Sequence, residues 1–142
     1  MQTDGTKKKI LIVDDEEDLT WSIVRGLSRG SNQFEVYYAN SGYSALELLK
    51  TQEIDLLVTD LRMPDISGQE LVQFVRTFNS NIKVILITAF SYPELHEFMS
   101  QFRVYGYIEK PFEINELRKM IELCLFPSMS GKASSMSKRE NV

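Results

Sequence analysis

Four stretches of this 142-residue chain put reactive side chains directly behind a short, largely apolar run. Ile10-Leu11-Ile12-Val13 leads into Asp14-Asp15, and Leu56-Leu57-Val58-Thr59 into Asp60. Val84-Ile85-Leu86-Ile87 leads into Thr88, and Tyr105-Gly106-Tyr107-Ile108 into Glu109-Lys110. Carboxylates held together repel one another unless a cation or a proton intervenes. They supply the hard oxygen ligands that Mg²⁺ takes, with water and a phosphoryl oxygen completing its octahedron. An ionised carboxylate is also a nucleophile and can form an aspartyl phosphate without a base. An ammonium group and a hydroxyl beside it would stabilise a phosphoryl group in transit. Asp14, Asp15, Asp60, Thr88 and Lys110 therefore share one use, provided the fold gathers them.

The elements that must do so alternate along the chain. Each apolar run is followed by a stretch with helical spacing: Leu19, Ile23, Val24 and Leu27 within 16–29, then a short helix over 44–50. Further on come Leu71, Phe74, Val75 and Phe78, then Leu95, Phe98, Met99 and Phe102, then Ile114, Leu117, Ile121, Cys124 and Leu125. Apolar residues at i, i+3, i+4 and i+7 mark amphipathic helices, whereas short β-rich apolar runs mark strands. Phe34 to Tyr38 reads as a further strand, the second in order, and it alone ends without a reactive group, in Ala39-Asn40. Ser67-Gly68-Gln69-Glu70 and Ser91-Tyr92-Pro93-Glu94 both read as helix-starting capping boxes. Five strand–helix units predict an open α/β sheet with right-handed crossovers, its near-continuous apolar strands covered on both faces. In such sheets ligands bind at the carboxyl ends of the strands, where the order reverses.

In order and spacing, Ile10 to Glu16, Asp60-Leu61-Arg62-Met63-Pro64-Asp65-Ile66-Ser67-Gly68, Ile87-Thr88-Ala89 and Tyr107-Ile108-Glu109-Lys110-Pro111-Phe112 resemble the receiver (CheY-like) domain of bacterial two-component response regulators. The resemblance covers residues 7–126. It implies a flavodoxin-like (βα)5 three-layer sandwich with a five-stranded parallel sheet of order 2-1-3-4-5. It makes Asp60 the phosphoacceptor, served by a sensor histidine kinase or a histidine phosphotransfer protein. Mg²⁺ would sit on Asp15, Asp60 and the Arg62 backbone carbonyl, with Asp14 acting largely through water. Thr88 and Lys110 would each take a phosphoryl oxygen. Thr88 and Tyr107 would form the switch, altering the surface of the fourth helix, fifth strand and fifth helix toward an effector domain or protein. A phosphorylation-dependent homodimer is a further form such domains take, but the charge ladder one winged-helix subfamily uses for it is not evident here. The resemblance also implies a cis Lys110-Pro111 bond and places Arg62 and Phe90 where the lifetime of the aspartyl phosphate is tuned. Phe90 is expected to shield it from water.

Other classes fit less well. Twenty Asp plus Glu against sixteen Lys plus Arg gives a net charge of −4, against direct nucleic-acid binding. No apolar run approaches membrane-spanning length, so the reading is cytoplasmic with no membrane contact. One cysteine, Cys124, excludes an intrachain disulfide and reads as core. A haloacid dehalogenase-like hydrolase would want a carboxylate where Arg62 stands, and a flavodoxin-like FMN carrier would want a hydroxyl- or glycine-rich loop where Asp14 to Asp18 stand. The remaining alternative is a receiver-like scaffold that binds a partner without phosphorylation. Glu16, Glu17 and Asp18 read as a helix start favoured by the dipole, Gly68 as part of a turn, and His96 as an exposed helix residue. Residues 1–6 read as an N-terminal tail and 127–142, with five serines, as a flexible tail or the start of a linker.

Overall fold

A computed structural model describes residues 7–29 and 33–127. The tail expected over 1–6 and all but the first residue of the stretch 127–142 lie outside the described residues. Strands and helices alternate: β1 (Lys8–Val13), α1 (Glu17–Ser28), β2 (Phe34–Ala39), α2 (Gly42–Thr51), β3 (Leu56–Asp60), α3 (Gly68–Phe78), β4 (Lys83–Thr88), α4 (Pro93–Gln101), β5 (Gly106–Glu109) and α5 (Ile114–Leu125). All pairings are parallel, in the order β2-β1-β3-β4-β5.

Strand alternation divides the core in two. Leu11, Val13, Leu57, Val84 and Leu86 face α2, α3 and α4 through Ala45, Leu49, Leu71, Val72, Val75, Leu95 and Phe98. Their neighbours Ile10, Ile12, Leu56, Val58, Ile85 and Ile87 face α1 and α5 through Ile23, Leu27, Leu117, Met120, Ile121 and Cys124. The chain leaves β1 for α1 on one face and β3 for α3 on the other, and this divergence opens a crevice at the carboxyl ends of β1 and β3. Cys124 is core as expected, and burial pushes its thiol up to about 12.

Three local expectations are corrected. On α3, Leu71, Val72 and Val75 are buried, whereas Phe74 and Phe78 are 51% and 45% exposed. The 3.6-residue period allows two neighbouring faces, and Val72 rather than the phenylalanines turns to the sheet. At α4 the N-cap is Tyr92 with no side-chain cap bond, so Ser91 caps nothing. Third, β5 begins at Gly106, leaving Tyr105 in the preceding loop. The Ser67–Glu70 capping box forms as read, and a second box, Glu113–Glu116, opens α5.

Candidate functional site

The chain after β3 folds around five anchoring residues, and together they set Asp60 at the crevice. Met63 and Ile66 turn into the core. Between them, the Asp65 carboxylate accepts the N–H groups of Gly42 (3.1 Å) and Tyr43 (3.0 Å), tying the loop to the start of α2. Slight burial opposes its charge, but these N–H groups prevail and hold its carboxyl below the ordinary value. Ser67 caps α3. Gly68 is there for want of space: a Cβ would lie 2.2 Å from the Asp60 carbonyl oxygen and 2.9 Å from Leu61 Cα. Close approach, rather than the turn conformation expected, is what requires glycine at this position.

The Asp14 end is tied as closely. Asn40 Nδ2 donates to the Asp14 carbonyl at 2.8 Å, and Thr20 Oγ1 donates to the same oxygen at 3.1 Å. Asp14 Oδ1 accepts the Glu16 N–H at 2.9 Å. Strand β2 thus contributes Asn40 after all, as a support for the acidic pocket rather than a member of it.

Carboxylate oxygens of Asp14, Asp15 and Asp60 fall within 4.8 Å of one another. Asp14 and Asp60 are buried and Asp15 is exposed. Lys110 Nζ stands among them, 3.1 Å from Asp14 Oδ2, 3.4 Å from Asp60 Oδ1 and 2.9 Å from Glu16 Oε1. Glu16, read from sequence as a dipole residue, is therefore a partner of Lys110 as well. The lysine 94 positions away was the signal: a cation following β5 needs counter-ions at the switch point. Burial opposes the charge of Lys110, but Glu16, Asp14 and Asp60 outweigh it and raise its pKa. Burial, then the neighbouring Asp14, pushes Asp60 up to about 6. Burial likewise raises Asp14. One ammonium facing four carboxylates leaves the pocket short of positive charge, and buried Asp14 Oδ2 accepts no well-formed hydrogen bond. Oxygen-only donors, crowded and under-neutralised, suit a hard divalent cation.

Thr88, buried at the end of β4, lines a cavity of about 310 Å³ with Asp60, Arg62 and Lys110. Its hydroxyl donates to the Phe90 carbonyl at 2.8 Å and accepts the Phe90 N–H at 3.3 Å, so it is engaged with its own loop. That loop is also held by Glu109, whose Oε2 accepts the Ser91 N–H at 3.2 Å. Phe90 is 56% exposed at the cavity mouth. Tyr107 is half-buried, with the ring of His96 edge-on at 5.6 Å. The Lys110-Pro111 peptide bond is cis. The structure thus gathers Asp14, Asp15, Asp60, Arg62, Thr88 and Lys110, and leaves Tyr107 outside the cavity on β5.

The family model described as the response regulator receiver domain matches residues 10–122. The chain belongs to that family. Among relatives, the receiver protein CpdR of Brucella abortus is 30% identical over 118 residues, which are 83% of this chain and 97% of CpdR. A sensor histidine kinase of Ectopseudomonas mendocina, TmoS, is 34% identical over 134 residues, 93% of this chain but only 14% of TmoS. The Vibrio cholerae chemotaxis protein CheY4 superposes with a TM-score of 0.78 at 26% identity, covering 84% of this chain and 99% of CheY4. The chain spans 14%, 25% and 24% of the length of the first three curated relatives it matches. This receiver domain is a signalling module with an acidic cluster that could hold a metal. Among the described residues no helix is long and apolar enough to cross a membrane.

Proposed function

We propose that this receiver domain, residues 7–126, takes a phosphoryl group onto Asp60 from a phosphohistidine on a sensor kinase or phosphotransfer protein. The observation carrying this reading is the position of Lys110 Nζ, within 3.4 Å of both Asp14 and Asp60 at the switch point of the sheet. The crowded oxygen donors suit Mg²⁺, which Asp15, Asp60 and the Arg62 carbonyl would hold, with Asp14 acting largely through water. When bound it supplies charge neutralisation and polarises the phosphoryl oxygens. Burial pushes Asp60 up to about 6, which leaves it mostly ionised at pH 7. One of its oxygens attacks phosphorus as the bond to the donor imidazole nitrogen breaks. Lys110 remains beside the charge, and Asp14 keeps the ammonium in place.

Thr88 can serve a phosphoryl oxygen only by releasing the Phe90 carbonyl. That exchange frees the loop before α4 and couples the phosphoryl group to Tyr107 and the face built by α4, β5 and α5, where an effector domain or protein would bind. The same site would hydrolyse its own phosphate, with Phe90 limiting the approach of water. A cytoplasmic location fits this chemistry. The scaffold alternative is not favoured, because it leaves the convergence of Asp14, Asp15, Asp60 and Lys110 on one crevice without a use.

The test is intact mass after incubation with acetyl phosphate and Mg²⁺. One phosphoryl adduct is expected in the wild type and none in Asp60→Asn or without metal. A folded wild type that takes no phosphoryl group from either acetyl phosphate or a kinase donor would return the scaffold reading.

A further inference from the structure

Because Gly68 lets α3 begin directly against the Asp60 carbonyl, the next residue is delivered to the phosphoacceptor cavity. Gln69 lines that cavity together with Asp60, Thr88, Phe90 and Lys110. Its side chain is half-buried and makes no hydrogen bond to any described residue. A carboxamide withdrawn from bulk water usually finds partners within the protein. Here its donors and its acceptor are left for whatever occupies the cavity.

Charge narrows what that occupant is. The anionic phosphoryl oxygens already have Lys110 to face, and Phe90 adds an apolar ring to the same lining. A neutral amide adds nothing to Coulombic neutralisation but has the donor and acceptor needed to hold a water molecule. A glutamine that orients the attacking water is a recurring part of phosphoryl-transfer sites. We propose that Gln69 is a catalytic residue for hydrolysis of the Asp60 phosphate, its carbonyl oxygen accepting a hydrogen bond from the attacking water. This rests on reading Asp60 as the phosphoacceptor. The water oxygen forms the new bond to phosphorus, and the bond from phosphorus to the Asp60 oxygen breaks with its electron pair. Asp60 returns as a carboxylate, inorganic phosphate leaves, and the water proton passes to solvent.

The experiment follows the phosphorylated protein by intact mass after the donor is removed, comparing wild type with Gln69→Leu and with the unbranched Gln69→Met as a folding safeguard. Loss of the phosphoryl group is expected to slow by about tenfold in both variants, well beyond any change in the rate of gain from acetyl phosphate. Equal reductions in gain and loss would overturn the proposal, because Gln69 would then hold the phosphoryl group rather than water. Unchanged or faster loss would overturn it as well. A wild type that takes no phosphoryl group at all defeats the underlying reading, and is told apart from these outcomes by its missing adduct.

Discussion

The two sides of the crevice are built differently. On the β1–β3 side, the chain that carries Asp14 and Asp60 is fixed by groups from other elements. Asn40 and Thr20 hold the Asp14 backbone, Asp65 ties the β3–α3 loop to α2, and Gly68 abuts the Asp60 carbonyl. On the β4–β5 side, the bonds around Thr88 and the loop that follows it are exchangeable. Thr88 bonds its own loop, Ser91 depends on one exposed carboxylate, and Tyr107 packs at the edge of the core with the exposed His96 imidazole edge-on. Helix α4 has no side-chain cap at its start and no basic residue in its last turn. It ends with Val104 N–H on the Met99 carbonyl at 2.9 Å, which places Arg103 at φ 58°, a conformation that favours glycine. Chemistry needs a rigid frame and switching needs a segment of low local stability. This fold supplies both around one cavity, so a charge added on the rigid side would act on the side that can yield.

The harshest way to break the comparison is to deform the rigid side. In Gly68→Ala the new Cβ meets backbone atoms of Asp60 and Leu61, not a flexible side chain, so either α3 or the end of β3 must move. The expected loss is about 2–4 kcal/mol in urea unfolding, with slower phosphorylation of Asp60. A variant within about 0.5 kcal/mol of wild type would show that this side gives as readily as the other.

A smaller effect tests whether the carboxylates are held against their preference. Folded Asp60 keeps its proton up to about 6, against an ordinary value of 3.8. Between those values the folded state binds more protons than the unfolded one. Wild-type stability therefore falls as pH rises through that window, and the deficit persists above it. Asp60→Asn removes the deficit. It should be more stable than wild type by about 1–3 kcal/mol at pH 8 without divalent cations, the gap closing below about pH 4. Mg²⁺ should raise the melting temperature of the wild type more than that of the variant. Equal stability at pH 8 would mean that Lys110 alone satisfies the pocket.

The unequal construction also decided what could be read from sequence. The alternation of strands and helices and the line of reactive groups behind four strands were legible because they follow from period and spacing, whereas the strand order came only from the resemblance to receiver domains. Thr88 and Lys110 could be named from spacing as well. What stayed hidden depends on contacts between distant residues. Asn40 and Glu16 are unremarkable until the fold sets them against Asp14 and Lys110. Arg76, on α3, also escaped notice. Its guanidinium donates to the carbonyls of Phe102 (2.9 Å), Ile82 (2.7 Å) and Arg103 (3.2 Å), clamping the end of α4. The exposed Phe74 and Phe78 misled for a related reason: helical period names a stripe without saying which edge of it meets the sheet.

That clamp makes the smallest prediction the sharpest for the yielding side. Arg103 combines a left-handed backbone with a guanidinium close enough to Arg76 to disfavour the charge there, after burial the second influence lowering its pKa. Arg103→Gly removes the steric strain and the like-charge contact together, while the glycine gains some entropy in the unfolded chain. The balance is a stabilisation of up to about 1 kcal/mol. It should be local, slowing hydrogen exchange at Val104 and Tyr105, whose N–H groups bond the carbonyls of Met99 and Val84. Exchange around Asp14 and Asp60 should stay as it was. If α4 is the element that yields, this variant should also need more phosphorylation to change partner binding, since the resting arrangement has been favoured. Slower exchange spread evenly over the sheet would instead mean that the crevice moves as one body, and that its two sides differ in bonding but not in response.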